Sequence, residues 1–407
     1  MKKSRLSKSV MREARSRHKR KLVALVFYIS VFITAGVFGC STKNTDPAYL
    51  KAQALPAYQQ ASFEQYIQDT QQWLADNRVF KSNNHQQEIL LNSPFELIPN
   101  TPNGQAVLLV HGLGDSPYSF HDIAAHLVEQ GYLVRAVLLP GHGSKAGDLL
   151  LPSFADWENL VSHHAQLLLN DYPNIWLGGY STGANLVTSY ALNDERVSGL
   201  LLFSPAFQPK SGAVKYARFA SYFMDWADQD PENNVLRYNS LPMNGAAVYY
   251  QTSKVVQDEL KMHAFNKPSL LVLSETDSVV DTQAAYQTFE HRFTNENSRL
   301  IWQGEHPPQG KRVLSQTMVL PDYRVSNGSH MGMLFSPNNP YYGQEGSITI
   351  CDNGQREVDF ENCELRDTVW YSAYGYQEPG KIHARLTFNP YFSQLMQSID
   401  LVMKPKS

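Results

Sequence analysis

A serine between two glycines is the position whose residue types most clearly predict chemistry. Ser181 lies in the segment Gly179-Tyr180-Ser181-Thr182-Gly183, between an apolar strand-like run and a helical stretch. In such a strand–turn–helix context the glycines permit a tight turn, and the serine hydroxyl projects from the strand end. The amide of Thr182 begins the helix and points at the same space, where it is placed to bind an oxyanion. The pattern predicts nucleophilic attack by Ser181 on a carbonyl carbon.

Two further turns that contain histidine and glycine follow apolar runs. They read Val110-His111-Gly112-Leu113-Gly114 and Leu139-Pro140-Gly141-His142-Gly143. With the serine motif, these segments resemble α/β-hydrolase-fold serine hydrolases of the monoacylglycerol lipase, carboxylesterase and serine aminopeptidase branch. The resemblance covers roughly residues 86–403 and is densest over 105–204. It implies that the amide of Leu113 is the second oxyanion donor and that His111 is a structural turn residue.

The resemblance also implies that the acid and then the histidine follow the serine along the chain. The segment Ser274-Glu275-Thr276-Asp277-Ser278-Val279-Val280-Asp281 comes after an apolar run and matches the family's small-x-x-Asp-x-x-Val acid loop at Asp277. Asp281 is placed to cap the next helix, which is a sufficient role for it. Glu275 lies closer to the strand but falls outside the pattern. Asp277 is therefore predicted as the acid.

Two histidines compete for the role of general base. His306 follows Asp277 by a spacing close to that of compact relatives, but two prolines come directly after it, which favours a surface excursion. His330 follows an extended apolar stretch, and the segment after it, residues 335–343, resembles the loop behind the catalytic histidine of bacterial family members. We predict His330 as the base and keep His306 as the alternative.

The surrounding chain predicts the elements that position these residues. Continuous apolar runs separated by helical stretches indicate a mostly parallel sheet covered by helices on both faces, an α/β architecture. The runs are 106–110, 133–139, 175–178, 199–203 and 270–273, and the main helical stretches are 62–74, 120–130, 154–169 and 182–192. Residues 88–99 suggest two short strands around an Asn-Ser-Pro turn.

Residues 206–266 interrupt this alternation and are predicted to form a helical cap. Helical spacing places four aromatic residues on one face: Tyr216, Phe219, Phe223 and Trp226. Either core packing or substrate contact explains such an aromatic face. The predicted core then has two parts, 62–205 and 267–407.

The N-terminus predicts export. Residues 1–21 hold ten Lys or Arg against one Glu, and residues 22–39 are uncharged. The segment Val37-Phe38-Gly39-Cys40-Ser41 resembles a bacterial lipobox, which implies a signal over 1–39, lipidation of Cys40 and a tether over 40–61. Ser41 in that context favours the outer membrane. The alternative is an uncleaved transmembrane helix, and both place the body outside the cytoplasm.

The other two cysteines, Cys351 and Cys363, bracket eleven mostly polar residues. In an oxidising compartment we expect a disulfide that closes a loop, with two free thiols as the alternative. No zinc pattern, P-loop or dinucleotide fingerprint accompanies them, so neither a metal nor another cofactor is expected.

The composition limits the function classes. The chain has 407 residues with 43% hydrophobic residues, and the part after residue 21 carries 25 basic and 37 acidic side chains. This balance disfavours a nucleic-acid partner. The leading hypothesis is a membrane-anchored hydrolase of carboxylic esters, such as monoacylglycerol- or lysophospholipid-like acyl esters. A serine aminopeptidase and a non-catalytic envelope lipoprotein on the same scaffold are the alternatives, and the oligomeric state is left open.

Overall fold

The computed structural model describes residues 46–355, 357–364 and 369–404. The chain divides into two units, Met1–Asp46 and Pro47–Ser407, and the second contains the elements described below. The predicted signal over 1–39 and the predicted lipidation site Cys40 lie outside the described residues. Across the described ranges, no helix combines the length and apolar character needed to cross a bilayer.

An eight-stranded sheet organises the second unit. Its strand order is β1-β3-β2-β4-β5-β8-β9-β10. β1 pairs antiparallel with β3, and the remaining pairs are parallel. These strands are Phe95–Leu97, Ala106–Val110, Leu133–Val137, Ile175–Tyr180, Val197–Phe203, Ser269–Ser274, Arg299–Gln303 and Val313–Gln316 for β1–β5 and β8–β10. This mostly parallel sheet is the α/β-hydrolase arrangement that the motifs imply, so the predicted fold class is confirmed.

Helices cover both faces of the sheet. They are α1 Phe63–Asn77, α2 His85–Asn92, α3 His121–Glu129, α4 Phe154–Asp171, α5 Thr182–Asn193, α6 Ala217–Ala220, α7 Met243–Met262, α8 Thr282–Arg292, α9 Glu357–Glu364 and α10 Phe392–Met403. Short strand pairs complete the unit, formed by β6 Trp226–Asp228 with β7 Leu241–Pro242 and by β11 Trp370–Ser372 with β12 His383–Arg385.

Alternate strand residues supply two separate cores, as side chains of a strand point to opposite faces. Leu108 and Leu202 belong to the cluster formed with α1, α4, α5, α7 and α8. Leu109 and Phe203 belong to the cluster formed with α3 and α10. Because the central strands are buried on both faces, their sequences are continuously apolar instead of alternating.

The segment over 206–266 differs from the predicted helical cap. The part before Met243 contains the one-turn helix α6 and the antiparallel β6–β7 pair, and Trp226 lies in a strand instead of on a helical face with Phe219. The part from Met243 to Met262 is α7, which packs against α5 and buries Val248, Val256 and Leu260 in the main core. The apolar spacing of α7 therefore makes it a core helix, and only the part before it is an insertion.

The second part of the expected tether over 40–61 is bound to the body and is not a free linker. Tyr49 donates a hydrogen bond to the carbonyl of Asp230 (2.8 Å), and Asp148 accepts one from the amide of Ala52 (2.6 Å). Tyr58 donates to Asp156 (2.9 Å). These contacts hold the chain against the body from Pro47 onward, although the composition of this stretch is that of a linker.

Residues 88–99 form one helix and one strand instead of two strands. Asn84 caps α2 by accepting a hydrogen bond from the amide of Gln87. Glu88 of this helix is buried, where it pairs with Arg78 (3.0 Å) and accepts hydrogen bonds from the amides of Lys81 and Ser82. This buried ion pair is a tertiary contact that holds the helix in place.

Cys351 and Cys363 are joined by a disulfide bond, with their Cα atoms 5.7 Å apart. Both lie in a small cluster with Val325, Tyr371 and Phe388, next to the β11–β12 pair. The bond therefore closes a segment that packs close to the chain preceding His330.

Candidate active site

The turn between β4 and α5 carries Ser181 in a conformation that few residues adopt. Ser181 has φ 53° and ψ −114°, and it is 5% exposed. A Cβ atom on Gly179 would lie 2.5 Å from the backbone of Ala184, and one on Gly183 would lie 2.0 Å from the carbonyl oxygen of Val110. Both glycines are therefore required by close backbone contacts on the two sides of the serine.

The structure brings Ser181, His330 and Asp277 together in one chain of hydrogen bonds. Ser181 Oγ lies 3.0 Å from His330 Nε2, and His330 Nδ1 lies 2.6 Å from Asp277 Oδ2. With the imidazole neutral, Nδ1–H donates to the carboxylate and Nε2 accepts from the hydroxyl. This is the arrangement in which a histidine removes a serine proton while a carboxylate fixes its tautomer.

The loop after β8 holds the carboxylate in place. Asp277 is fully buried, and its Oδ1 accepts hydrogen bonds from the amides of Val279 (2.7 Å) and Val280 (3.0 Å). The Lys210 ammonium donates to the main-chain carbonyl of the same residue. Asp281 caps α8 by accepting from the amide of Ala284 (3.0 Å), the role predicted for it. One carboxylate oxygen of Asp277 is thus committed to the loop and the other to His330.

His306 lies elsewhere. Its side chain is 85% exposed and its Nδ1 lies 2.7 Å from Glu275 Oε1. Burial opposes the ionisation of Glu275, but hydrogen bonds from His306 outweigh it and hold the pKa of this carboxyl below its usual range. The two residues that the sequence offered as alternatives therefore pair with each other, apart from Ser181.

Two buried imidazoles shape the loop that contains Leu113. His111 Nε2 accepts from the amide of Leu139 (3.0 Å) while its Nδ1 donates to the carbonyl of Gly112. His142 Nε2 accepts from the amide of Gly114 (3.0 Å), and its Nδ1 donates to the carbonyl of Leu139. Each ring must stay neutral to accept, and burial lowers the pKa of His111 to about 4.

The two predicted oxyanion donors sit in these rigid surroundings. Thr182 is the first residue of α5, directly after the nucleophile, and its side chain is fully buried. Leu113 lies in the loop after β2, which the two histidines connect to the loop after β3. Both amides therefore belong to backbone that is fixed before any substrate arrives, which is what electrostatic stabilisation of an oxyanion requires.

The insertion contacts this loop at positions that the sequence did not reveal. Arg237 lies 3.4 Å from Asp115, and the amide of Tyr238 donates to the carbonyl of Gly114 (2.7 Å). Burial raises the pKa of Asp115, and the charge of Arg237 opposes that shift. Arg237 and Lys210 carry no local motif, so only the tertiary fold shows that they support the oxyanion loop and the acid loop.

Apolar side chains from four separate segments meet beside the site. Ala206, Tyr249 and Val280 form a buried cluster, against which Leu113 and Val214 pack. The cluster touches the oxyanion loop through Leu113 and the acid loop through Val280. Within the described ranges, no group of three or more His, Cys, Asp or Glu side chains is arranged to hold a metal ion.

Comparisons with known proteins give one family match and several similar proteins. Residues 101–231 match the family described as serine aminopeptidase, S33. The chain is 26% identical over 186 residues to a thermostable monoacylglycerol lipase of Bacillus sp. (strain H-257), an alignment that covers 44% of this chain and 73% of that protein.

A carboxylesterase of Bacillus subtilis (strain 168) is 23% identical over 210 residues, covering 49% of this chain and 83% of that protein. Among solved structures, a Paleococcus ferrophilus monoacylglycerol lipase aligns with a TM-score of 0.43 and 18% identity over 55% of this chain and 88% of the other.

Proposed function

We propose that this chain, which has the α/β-hydrolase fold and is similar to esterases and lipases, hydrolyses carboxylic esters through Ser181, His330 and Asp277. The observation that carries the proposal is the continuous path from Ser181 Oγ through the imidazole to Asp277 Oδ2, with distances of 3.0 and 2.6 Å. The hydrolase relatives support the reaction class, and the geometry supports the assignment of these three residues.

The proposed mechanism has two halves. His330 Nε2 takes the hydroxyl proton of Ser181 as Oγ attacks the ester carbonyl, and Asp277 stabilises the imidazolium that forms. The amides of Leu113 and Thr182 stabilise the oxyanion, a contribution typically worth about 3 kcal/mol for each donor. His330 then protonates the leaving alcohol. Water hydrolyses the acyl-enzyme through the same groups, which restores the serine.

We further propose an acyl ester of monoacylglycerol or lysophospholipid type as the substrate. The apolar cluster of Ala206, Tyr249 and Val280 beside the oxyanion loop favours an acyl chain over a charged group. The predicted lipobox at Cys40 supports an enzyme that is anchored in the cell envelope, outside the cytoplasm, where such lipids are its neighbours.

The family name favours a second candidate, an aminopeptidase. Such an enzyme needs carboxylates that hold the substrate amine, and the insertion offers several. Glu232, however, is occupied, because its carboxylate accepts hydrogen bonds from the amides of Asn239 (3.1 Å) and Ser240 (2.8 Å).

The test combines labelling with a substrate series. We expect a fluorophosphonate probe to label Ser181 of the intact protein and to leave Ser181→Ala unlabelled. We expect kcat/KM for p-nitrophenyl esters to rise from acetate to longer acyl chains, and aminoacyl anilides to be turned over poorly. Turnover of aminoacyl anilides without ester hydrolysis would favour the aminopeptidase, and folded protein that the probe does not label would refute both.

A further inference from the structure

Five large apolar side chains are exposed within nine consecutive residues of the insertion. They are Tyr216, Phe219, Tyr222, Phe223 and Met224, with exposed fractions of 62%, 67%, 70%, 76% and 51%, and we call them the aromatic patch. Phe219 and Phe223 also contact each other, with ring centroids 5.1 Å apart. Single exposed apolar residues are common on proteins, but a contiguous group of aromatic rings marks a surface that binds something.

Cations are interleaved with these rings. The Lys215 ammonium lies over the ring of Tyr216 (4.9 Å), and the Arg218 guanidinium lies over the ring of Tyr222 (5.8 Å). Residues 206–224 contain three basic side chains and no acidic one, and the first carboxylate after them is Asp225. The chain after residue 21 has 25 basic and 37 acidic residues, so the segment that carries the aromatic patch is basic while the body is acidic overall.

The position of the patch along the fold relates it to the proposed anchor. The ring of Tyr49 packs edge-on against the ring of Trp226 (5.3 Å), two residues after the patch ends. Pro47 follows Cys40 by seven positions along the chain, so the two residues are at most about 25 Å apart when the chain is extended. Anchoring at Cys40, or at an uncleaved helix that ends there, therefore keeps the insertion close to the bilayer surface.

We infer that the aromatic patch is a lipid-binding surface that inserts Phe219 and Phe223 among the headgroups of an anionic bilayer. Tyr216 and Tyr222 suit the interface because each combines an apolar ring with a polar hydroxyl. Lys215 and Arg218 face lipid phosphates in this arrangement. The inference uses the proposed envelope location and does not depend on ester hydrolysis, since the contact is made by residues outside the site.

The patch has a mechanical link to the site. The segment that leads into it begins at Lys210, which hydrogen-bonds to Asp277, and continues through Val214, which packs against the cluster beside the oxyanion loop. A bilayer that holds the aromatic patch therefore holds the chain segment that borders the site, which presents the site to lipid esters.

The test measures vesicle binding, so it is independent of catalysis. The fragment 47–407 is used because it is the compact unit that contains all the cores described above. Flotation with phosphatidylcholine vesicles is compared with vesicles that contain 30% phosphatidylglycerol. We expect binding to the anionic vesicles, and a loss of tenfold or more in Phe219→Ser/Phe223→Ser. We expect Lys215→Gln/Arg218→Gln to remove the preference for phosphatidylglycerol.

Leu401→Ser is the matched control, because Leu401 is equally exposed (67%) but lies on α10. Unchanged binding by this control, with loss in the patch variant, supports the inference. Absence of vesicle binding by the unmodified fragment overturns it, as does an equal loss in Leu401→Ser. A dimer in solution that Phe219→Ser/Phe223→Ser converts to a monomer, without vesicle binding, also overturns it and assigns the patch to self-association.

Discussion

Replacing Asp277 with Asn should inactivate the protein while leaving its fold intact. Oδ1 of Asp277 accepts hydrogen bonds from the amides of Val279 and Val280, and Oδ2 accepts from His330 Nδ1. An asparagine has one acceptor oxygen and one NH₂ group. The two backbone amides require the oxygen, so the NH₂ group faces His330. Nδ1 must then accept, and Nε2 carries the proton.

The consequence is that Nε2–H faces Ser181 Oγ and no base is present. The corresponding change in a serine protease lowers kcat by about 10⁴. We expect a decrease of the same order, about 5.5 kcal/mol of activation free energy. The melting temperature should change little, because the hydrogen bonds to the loop amides remain. The assay is kcat and KM with one soluble p-nitrophenyl ester, together with thermal unfolding.

Asp281→Asn is the control, because asparagine caps a helix as well as aspartate does. It should retain kcat within about twofold. If Asp277→Asn keeps more than a tenth of the activity, the argument that the loop amides fix the orientation of the side chain is refuted.

Three further outcomes follow from the same geometry. His330→Ala should lose several orders of magnitude in kcat, and His306→Ala should keep most activity, because only the first contacts Ser181; the reverse result would move the base to His306. Gly183→Ala should unfold or fail to accumulate, because the Cβ of the alanine would clash with the carbonyl of Val110. Gly212→Ala is the control: the space around Gly212 is open, so this variant should have the melting temperature of the parent protein. Burial lowers the pKa of His164 to about 3, so below pH 6.5 the unfolded chain binds a proton that the folded chain does not, and the free energy of unfolding falls as pH falls. At pH 4, His164→Gln should reduce that loss of stability by about 3 kcal/mol in urea unfolding. An unchanged pH dependence of stability in this variant would contradict a buried, neutral His164.

Local patterns predicted the elements that depend on local composition. β2 spans Ala106–Val110 as expected, because a strand buried on both faces needs a continuous apolar run. The turn at Ser181 was predictable because its glycine spacing is a local motif, although the contact that requires Gly183 is made with Val110 of β2. Residues 88–92 were not, because a short apolar run does not distinguish a strand from a helix that is held by the buried Arg78–Glu88 pair.

The same distinction applies to the site. The glycine turns and the acid loop carry local motifs, so Leu113, Thr182 and Asp277 could be proposed from the sequence. The spacing between Asp277 and His330 could not be read in advance, since the excursion around His306 and the strand β10 lengthen the connection. Lys210 and Arg237 were missed because each acts on a loop distant in sequence, through a contact that no local pattern encodes.

The docked start of the body has a consequence for the order of folding. Tyr49 bonds to Asp230, and Ala52 and Tyr58 bond to Asp148 and Asp156, so these contacts close loops of 181, 96 and 98 residues. If the chain is exported from its N-terminus, as we propose, this segment emerges first and its partners emerge much later. The segment from Tyr49 to Tyr58 therefore stays solvated until its partners fold, and the last of them in sequence is Asp230 on the insertion. We therefore expect pulsed hydrogen exchange during refolding to show the amide of Ala52 protected only after the sheet, so that the stretch nearest the proposed anchor is fastened last.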